Sequence, residues 1–166
     1  MTAHAQGSAV VEYPNDLEIV ITRSFQAPIQ LVFDVFTQTE HLRKTLAPYG
    51  EEMKECSFDA RVGGSYHYVF VADDGRDMSF RGDYLEVEPP AKIVNTWVFE
   101  GWPGVDALES VDLRESDGVT TMRWSLAFKD KAGREHMSRV DGIEASFDNV
   151  EDYLRSLAEQ REPVTQ

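Results

Sequence analysis

Three polar side chains are candidates for orienting a bound molecule. His41 precedes a short predicted helix, Asn95 stands within a predicted strand, and Asp141 lies in the first turns of a long C-terminal helix. An imidazole, an amide and a carboxylate can each form directed hydrogen bonds with a ligand. Asp141 is one position from the apolar stripe of its helix, so it either anchors a ligand or is solvated. We predict these three residues to be polar anchors of a binding site.

The motifs of common enzyme classes do not occur in the sequence. There is no GxSxG, no Walker-type glycine loop, no GxGxxG and no HExxH. The four histidines, His4, His41, His67 and His136, lack the paired spacing of zinc ligands. With 30 Asp and Glu residues, chance pairs of carboxylates are expected and do not indicate acid–base catalysis. We therefore predict no catalytic residue, no metal and no cofactor.

Aromatic residues are the larger part of the candidate site. The chain has nine Phe, six Tyr and three Trp, which can line a cavity between a sheet and a helix or fill the core. Trp102 lies in a turn, where it caps the mouth of such a cavity, contacts a partner or packs within the loop. The predicted apolar lining consists of Phe36, Tyr66, Tyr68, Phe80, Trp97, Trp102, Trp124, Met137 and Val140.

These side chains must be positioned by one strand, two short helices, a meander and a long helix. Alternating apolar residues predict a strand over 17–25, and helical spacing predicts short helices over 28–37 and 41–46. Turn signals separate short antiparallel strands between residues 51 and 129. Apolar residues three or four apart then predict a long helix over 137–157.

Length and composition predict one acidic domain. A chain of 166 residues fits a single domain, which we place at 15–158, with a flexible arm over 1–14 and a tail over 159–166. The formal net charge of −14 argues against nucleic-acid binding. The single cysteine, Cys56, permits no internal disulfide, and we predict it to be a small residue within a strand. With no signal-like segment and no membrane span, the sequence predicts a cytoplasmic protein.

Several motifs carry a resemblance to a known family. They are RSFQAP at 23–28 followed by Val32 and Phe33, DARVGGSY at 59–66, and GDYLEVEPPAKIVNTW at 82–97. Together they resemble the activator of heat-shock protein 90 ATPase homologue-like family of the SRPBCC/START-like superfamily, over about residues 17–157. The resemblance implies an α+β helix-grip fold like that of the birch-pollen allergens. In it, a curved antiparallel sheet wraps around a long C-terminal helix, with two short helices after the first strand.

The resemblance and the aromatic lining together favour a non-catalytic binding protein. Its expected ligand is a small hydrophobic or aromatic molecule held between the sheet and the C-terminal helix. Two alternatives stay open: a co-chaperone-like regulator of heat-shock protein 90 ATPase, and a polyketide cyclase or dehydratase-like enzyme that uses the same cavity. Exposed strand edges could also pair two copies into a homodimer.

Overall fold

The computed structural model describes residues 3–6, 9–47, 51–101, 106–138 and 143–161. They form nine strands and four helices. The strands are β1 (Ala3–Gln6), β2 (Ala9–Glu12), β3 (Glu18–Phe25), β4 (Met53–Phe58), β5 (Ser65–Val71), β6 (Asp77–Glu88), β7 (Lys92–Phe99), β8 (Asp106–Ser116) and β9 (Val119–Phe128). The helices are α1 (Ile29–Val35), α2 (Thr39–Thr45), α3 (Lys131–Ser138) and α4 (Ile143–Arg161).

All nine strands join one antiparallel sheet in the order β1-β2-β3-β9-β8-β7-β6-β5-β4. Strand β9 shows why one face of this sheet is apolar. Its buried residues Met122, Trp124, Leu126 and Phe128 alternate with more accessible ones, as the sequence predicts, although Ser125 on the other face is also buried. The curved antiparallel sheet and the C-terminal helix confirm the helix-grip fold.

The N-terminal segment differs from the predicted loose arm. Strands β1 and β2 pair with each other, and β2 pairs with β3, so this segment extends the sheet. Ala9 and Val11 are almost fully buried, whereas Val10 between them is exposed. This short alternation is the physical reason for the strand, because burying one face of β2 compensates for the entropy lost on ordering. The prediction of a flexible arm over 1–14 is therefore wrong for residues 3–6 and 9–12, which form β1 and β2.

The helices occur close to the predicted positions. Helix α1 follows Pro28, whose fixed backbone φ of −64° suits a helix start. The long predicted C-terminal helix corresponds to α3 and α4, and residues 139–142 lie outside the described residues. Helix α4 ends at Arg161, so part of the predicted tail continues this helix.

Helix α4 is held to the sheet by an apolar contact and a buried cation. The Phe147 ring meets the Trp124 indole edge-on, with 5.6 Å between centroids. On β3, the buried Arg23 places Nη1 2.7 Å from Asp148 Oδ1 and Nη2 3.5 Å from Glu151 Oε1 on α4. These contacts set the position of α4 over the concave face of the sheet.

Candidate functional site

A cavity of about 410 Å³ lies between the apolar face of the sheet and the helices. Strands β5 to β9 supply most of its wall. The rest comes from Phe58 on β4, from α2, α3 and α4, from Phe36 just after α1, and from the loops before β4 and between β5 and β6. Its lining residues are Phe36, Leu42, Leu46, Glu51, Phe58, Tyr66, Tyr68, Phe70, Ala72, Asp73, Asp74, Arg76, Met78, Phe80, Tyr84, Ile93, Asn95, Trp97, Glu109, Val111, Trp124, Leu126, Met137, Ser146 and Phe147.

Aromatic rings on neighbouring strands form a continuous wall of this cavity. Tyr68 on β5 stacks on Phe80 of β6 at a centroid distance of 5.0 Å. Phe80 in turn lies 5.3 Å from the Trp97 ring on β7. Since cross-strand neighbours share one face of the sheet, the antiparallel register brings these rings together. The resulting surface suits an apolar or aromatic molecule.

One acidic side chain, Glu109 of β8, interrupts this apolar wall. Its Oε1 accepts a 2.9 Å hydrogen bond from Asn95 Nδ2, and its Oε2 accepts a 2.7 Å hydrogen bond from Trp124 Nε1. The side chain is half-buried, and because it lines the cavity, its accessible part faces the interior space. Burial raises the pKa of the Glu109 carboxyl, while the bonds from Asn95 and Trp124 oppose this shift.

Three tyrosines accompany Glu109 in the lining. Tyr66 Oη donates a 2.9 Å hydrogen bond to the Thr96 carbonyl and accepts a 3.2 Å bond from Asn95 Nδ2. Burial raises the pKa of Tyr66, Tyr68 and Tyr84, and the negative charge of Glu109 raises each pKa further. All three phenols therefore stay protonated near neutral pH and act as neutral hydrogen-bonding groups.

The outer part of the cavity is more polar than its interior. Asp73, Asp74 and Arg76 are exposed lining residues near the turn between β5 and β6, and the half-buried Glu51 lines the cavity too. Arg76 Nε donates a 2.7 Å hydrogen bond to Asp74 Oδ2. The exposed and half-buried part of the lining thus carries three carboxylates and one guanidinium.

The structure brings most of the predicted site residues to this cavity. Those in its lining are Phe36, Tyr66, Tyr68, Phe80, Asn95, Trp97, Trp124 and Met137. Trp102, Val140 and Asp141 lie outside the described residues. Whether the lining residues hold a ligand remains a prediction.

His41 is not brought into the cavity lining, which corrects its predicted placement. Its Nδ1 lies 2.6 Å from Tyr153 Oη, and the two rings are 5.4 Å apart. This contact between α2 and α4 turns the imidazole toward the helix pair instead of the aromatic wall. The predicted anchoring role of His41 depended on its nearness to a helix start, which does not reveal the partner of the side chain.

Glu109 is the site residue that the sequence analysis missed. Its signal lies in the alternation along β8, where Ala107, Val111 and Leu113 are buried and Leu108 is exposed. Position 109 belongs to the inward series, so an acid there stands out among apolar residues. The large number of carboxylates in the sequence obscured this single inward-facing one.

The described residues contain no group of three or more His, Cys, Asp or Glu side chains placed to hold a metal ion. Within the same ranges, no helix has the length and apolar character needed to cross a bilayer. Cys56 is buried, and burial raises its thiol pKa. The interior of the candidate site is built from aromatic and aliphatic side chains, the Tyr hydroxyls, the Asn95 amide and the Glu109 carboxyl.

Comparison with known proteins identifies relatives of this fold. The sequence model described as Activator of Hsp90 ATPase homolog 1-like protein matches residues 26–155. A Rhodobacter sphaeroides protein of known structure is similar with a TM-score of 0.79 and 19% identity, over 89% of this chain and 98% of that chain. A Chromobacterium violaceum protein has a TM-score of 0.70 and 28% identity, over 84% and 97%.

A further similar structure is described as an HSP90 activator from Plasmodium falciparum. Its TM-score is 0.63 at 19% identity, over 83% of this chain and 96% of that chain. The comparison with curated proteins gives no match. The similar structures share the fold with this chain over nearly their whole lengths.

Proposed function

The chain belongs to the Activator of Hsp90 ATPase homolog 1-like protein family, and we propose that it binds a small, largely apolar or aromatic molecule in its internal cavity. The observation that carries this proposal is the space of about 410 Å³ between the sheet and the helices, lined mainly by apolar side chains, many of them aromatic. Ligand sites commonly have volumes of about 300–1,000 Å³, apolar walls and a few polar groups.

The size of the cavity supports binding because protein interiors are normally close-packed. Voids larger than a water molecule are few, and leaving one open costs contacts that a smaller cavity would retain. Large side chains such as Trp97, Phe80 and Tyr68 surround this space without filling it. A molecule that fills it would regain dispersion contacts and remove apolar surface from water.

The polar groups of the cavity are arranged to hold a molecule in one orientation. Glu109 is fixed by Asn95 on one oxygen and by Trp124 on the other. Neither an amide nor an indole exchanges a proton readily near neutral pH, so these partners position the carboxyl and do not relay protons. This arrangement gives a bound molecule one fixed acceptor group inside the cavity.

The direct test is a fluorescence titration with N-phenyl-1-naphthylamine, a neutral aromatic probe that brightens in apolar surroundings. Val111→Phe adds a ring to the cavity wall, so we expect it to weaken binding of the probe by about tenfold or more. The matched control is Leu108→Phe, which changes an exposed residue on the same strand. Saturable binding by the wild type that Val111→Phe weakens and Leu108→Phe retains supports the proposal.

Two results would overturn the binding proposal. One is the absence of saturable binding by the wild type. The other is equal binding by the Val111→Phe and Leu108→Phe variants when both unfold cooperatively, since the probe would then occupy some other surface.

Regulation of an Hsp90 ATPase is a second candidate function. It is favoured by the family description and by the structural similarity to an HSP90 activator. The test is the ATPase rate of a purified Hsp90 with and without this chain at rising concentration. A saturable change in rate supports this function, and an unchanged rate with no complex in isothermal titration contradicts it.

A further inference from the structure

We propose that the cavity selects an organic cation: an apolar or aromatic molecule carrying a protonated amine or amidine, whose N–H groups pair with the Glu109 carboxylate. This inference rests on the proposed function, because it names the chemical class of the molecule bound in the same cavity. The carboxylate, the surrounding rings and the charges at the outer end of the cavity support it independently.

The Glu109 carboxylate has acceptor capacity left for a ligand. A carboxylate offers about four acceptor positions on its two oxygens. Among the described residues, Asn95 donates to Oε1 and Trp124 donates to Oε2, one bond each. These two bonds fix the orientation of the group, and its accessible part faces the cavity. A ligand with N–H donors can bond to the remaining acceptor positions of the carboxylate, whereas a ligand that has only acceptors cannot.

The same carboxylate has no basic side chain beside it in the described lining. Arg76 is the one Lys, Arg or His among the described lining residues, and it is exposed and bonded to Asp74. A neutral ligand that fills the cavity would remove water from Glu109 without supplying a compensating charge. An unpaired buried charge is costly, and burial alone already shifts Glu109 toward its protonated form. A cationic ligand pairs with the ionised carboxylate and removes this cost, so it is favoured over a neutral ligand of equal shape wherever the carboxylate is ionised.

The aromatic wall adds a second attraction for a cation. The faces of Tyr and Trp rings carry negative electrostatic potential, and a cation within about 6 Å of a ring centroid is attracted to them. Tyr66 and Tyr68 stand on β5, and Trp97 and Trp124 stand on β7 and β9 around the same space. Asn95 Nδ2 donates to both Tyr66 Oη and Glu109 Oε1, and the Trp124 indole donates to Glu109 Oε2, so these two rings lie beside the carboxyl.

Charges at the outer end of the cavity favour the same sign of ligand. Glu51, Asp73 and Asp74 outnumber Arg76 in the polar part of the lining. The whole chain carries a formal net charge of −14. A cleft lined by one sign of charge raises the local concentration of oppositely charged ligands and repels like-charged ones. Fatty acids and other carboxylates are therefore disfavoured relative to amines of the same apolar size.

The test compares three probes with one shared naphthalene ring: 1-naphthylmethylamine, 1-naphthylmethanol and 1-naphthoate. Their dissociation constants are measured by isothermal titration at about pH 7.5, where the aliphatic amine is protonated and the naphthoate is ionised. We expect the amine to bind about tenfold or more tightly than the alcohol, and the naphthoate to bind most weakly. Because the three probes share the same apolar ring, the differences between their dissociation constants report the effect of the ligand's charge.

Glu109→Gln tests the assigned partner, since it removes the charge and keeps the shape. We expect it to weaken binding of the amine by about ten- to a hundredfold while changing alcohol binding by less than about threefold. The matched control is Asp112→Asn, which removes one charge from an exposed position on the same strand. This control is expected to keep the preference for the amine.

Each outcome separates this inference from the function on which it rests. Equal affinities of the amine and the alcohol for the wild type overturn the inference, even if Glu109→Gln does not fold. Retention of the amine preference by a folded Glu109→Gln variant also overturns it. In both cases the proposed function stays intact if N-phenyl-1-naphthylamine binds the wild type and Val111→Phe weakens that binding. If none of the four probes binds the wild type, both the inference and the proposed function are contradicted.

Discussion

The Trp124 indole donates a 2.7 Å hydrogen bond from Nε1 to Oε2 of Glu109. The two residues lie on the neighbouring strands β9 and β8, where Trp124 is paired with Val111, two positions along from Glu109. The bond therefore runs diagonally across the apolar face of the sheet. It gives a large aromatic residue of the cavity wall a second role, because the same side chain holds the Glu109 carboxyl in place.

Trp124→Phe should destabilise the fold because it leaves Oε2 of Glu109 without its donor. We expect the free energy of unfolding to fall by about 2 kcal/mol, as measured by urea denaturation. The same substitution in a Glu109→Gln background completes a double-mutant cycle. A coupling larger than about 0.5 kcal/mol is expected, and strictly additive effects would show that the charge of Glu109 does not strengthen this hydrogen bond.

The stability of the protein should depend on pH through Glu109. Burial raises the pKa of this carboxyl in the folded state above its ordinary value of 4.5. In the window between the two values, the folded state holds a proton that the unfolded state releases, so stability falls as the pH rises. Tyr66, Tyr68 and Tyr84 face Glu109 and remain protonated here, because burial raises their pKa values as well.

The measurement is the free energy of unfolding of the wild type minus that of Glu109→Gln, at several pH values from about 5 to 8. We expect this difference to decrease as the pH rises through the raised pKa of Glu109. The difference cancels the titration of the other carboxyl groups, and Asp112→Asn serves as the control for removing one charge. A difference that grows with pH would mean that the folded state stabilises the ionised form.

Gly82→Ala should disturb the Tyr66 side of the cavity. A Cβ atom at position 82 would overlap the Thr96 carbonyl oxygen and lie only 2.6 Å from Tyr66 Cε1. The strand or the ring must therefore move, which endangers the bond from Tyr66 Oη to that carbonyl. We expect a loss of about 1–3 kcal/mol in the free energy of unfolding.

The neighbouring variant Asp83→Ala provides the control for this prediction. Asp83 is an exposed residue of the same strand, so its substitution should change stability by less than about 0.5 kcal/mol. If Gly82→Ala were as stable as Asp83→Ala, the close approach of Tyr66 to β6 would not constrain the site.

Removing the acidic partners of Arg23 on α4 should destabilise the protein more than removing Arg23 itself. Arg23 is 3% exposed, whereas Asp148 is 59% exposed, so only the cation depends on its partner for compensation. The double variant Asp148→Asn/Glu151→Gln leaves the buried guanidinium without an anionic partner. It should lower the free energy of unfolding by about 3 kcal/mol. Arg23→Met should cost less, because the released carboxylates return to water while the methionine fills the apolar site.

Urea denaturation of both variants measures this difference. Asp152→Asn is the control, because its partner Arg155 forms an exposed pair on the same helix and should contribute little. A larger loss for Arg23→Met than for the double variant would contradict the account of how α4 is held.

The main elements of the fold are predictable because their side chains follow a local period. The alternation of Met122, Trp124, Leu126 and Phe128 indicates β9 and its buried face, and Pro28 marks the start of α1. The aromatic lining follows from the same pattern, since residues of one period share one face. Strand β2 is harder to predict, because four residues carry too little periodicity and its stability depends on pairing with β3.

The polar part of the site depends on contacts between distant residues. Glu109 is oriented by hydrogen bonds from Asn95 and Trp124, and the register of β7, β8 and β9 brings these two residues beside it. His41 acquires its position from Tyr153, which is far along the chain on α4. Local sequence patterns do not contain this pairing information, so the sequence alone yields the wall of the cavity but not the partners of its polar groups.

The most direct test of the central claim is a crystal structure of the protein soaked or co-crystallised with N-phenyl-1-naphthylamine. The account predicts the two ring systems of the probe between the sheet and α4, in contact with Phe80 and Trp124. Probe density confined to the outer surface, with the cavity holding only water at saturating probe, would contradict the claim that this cavity is a binding site.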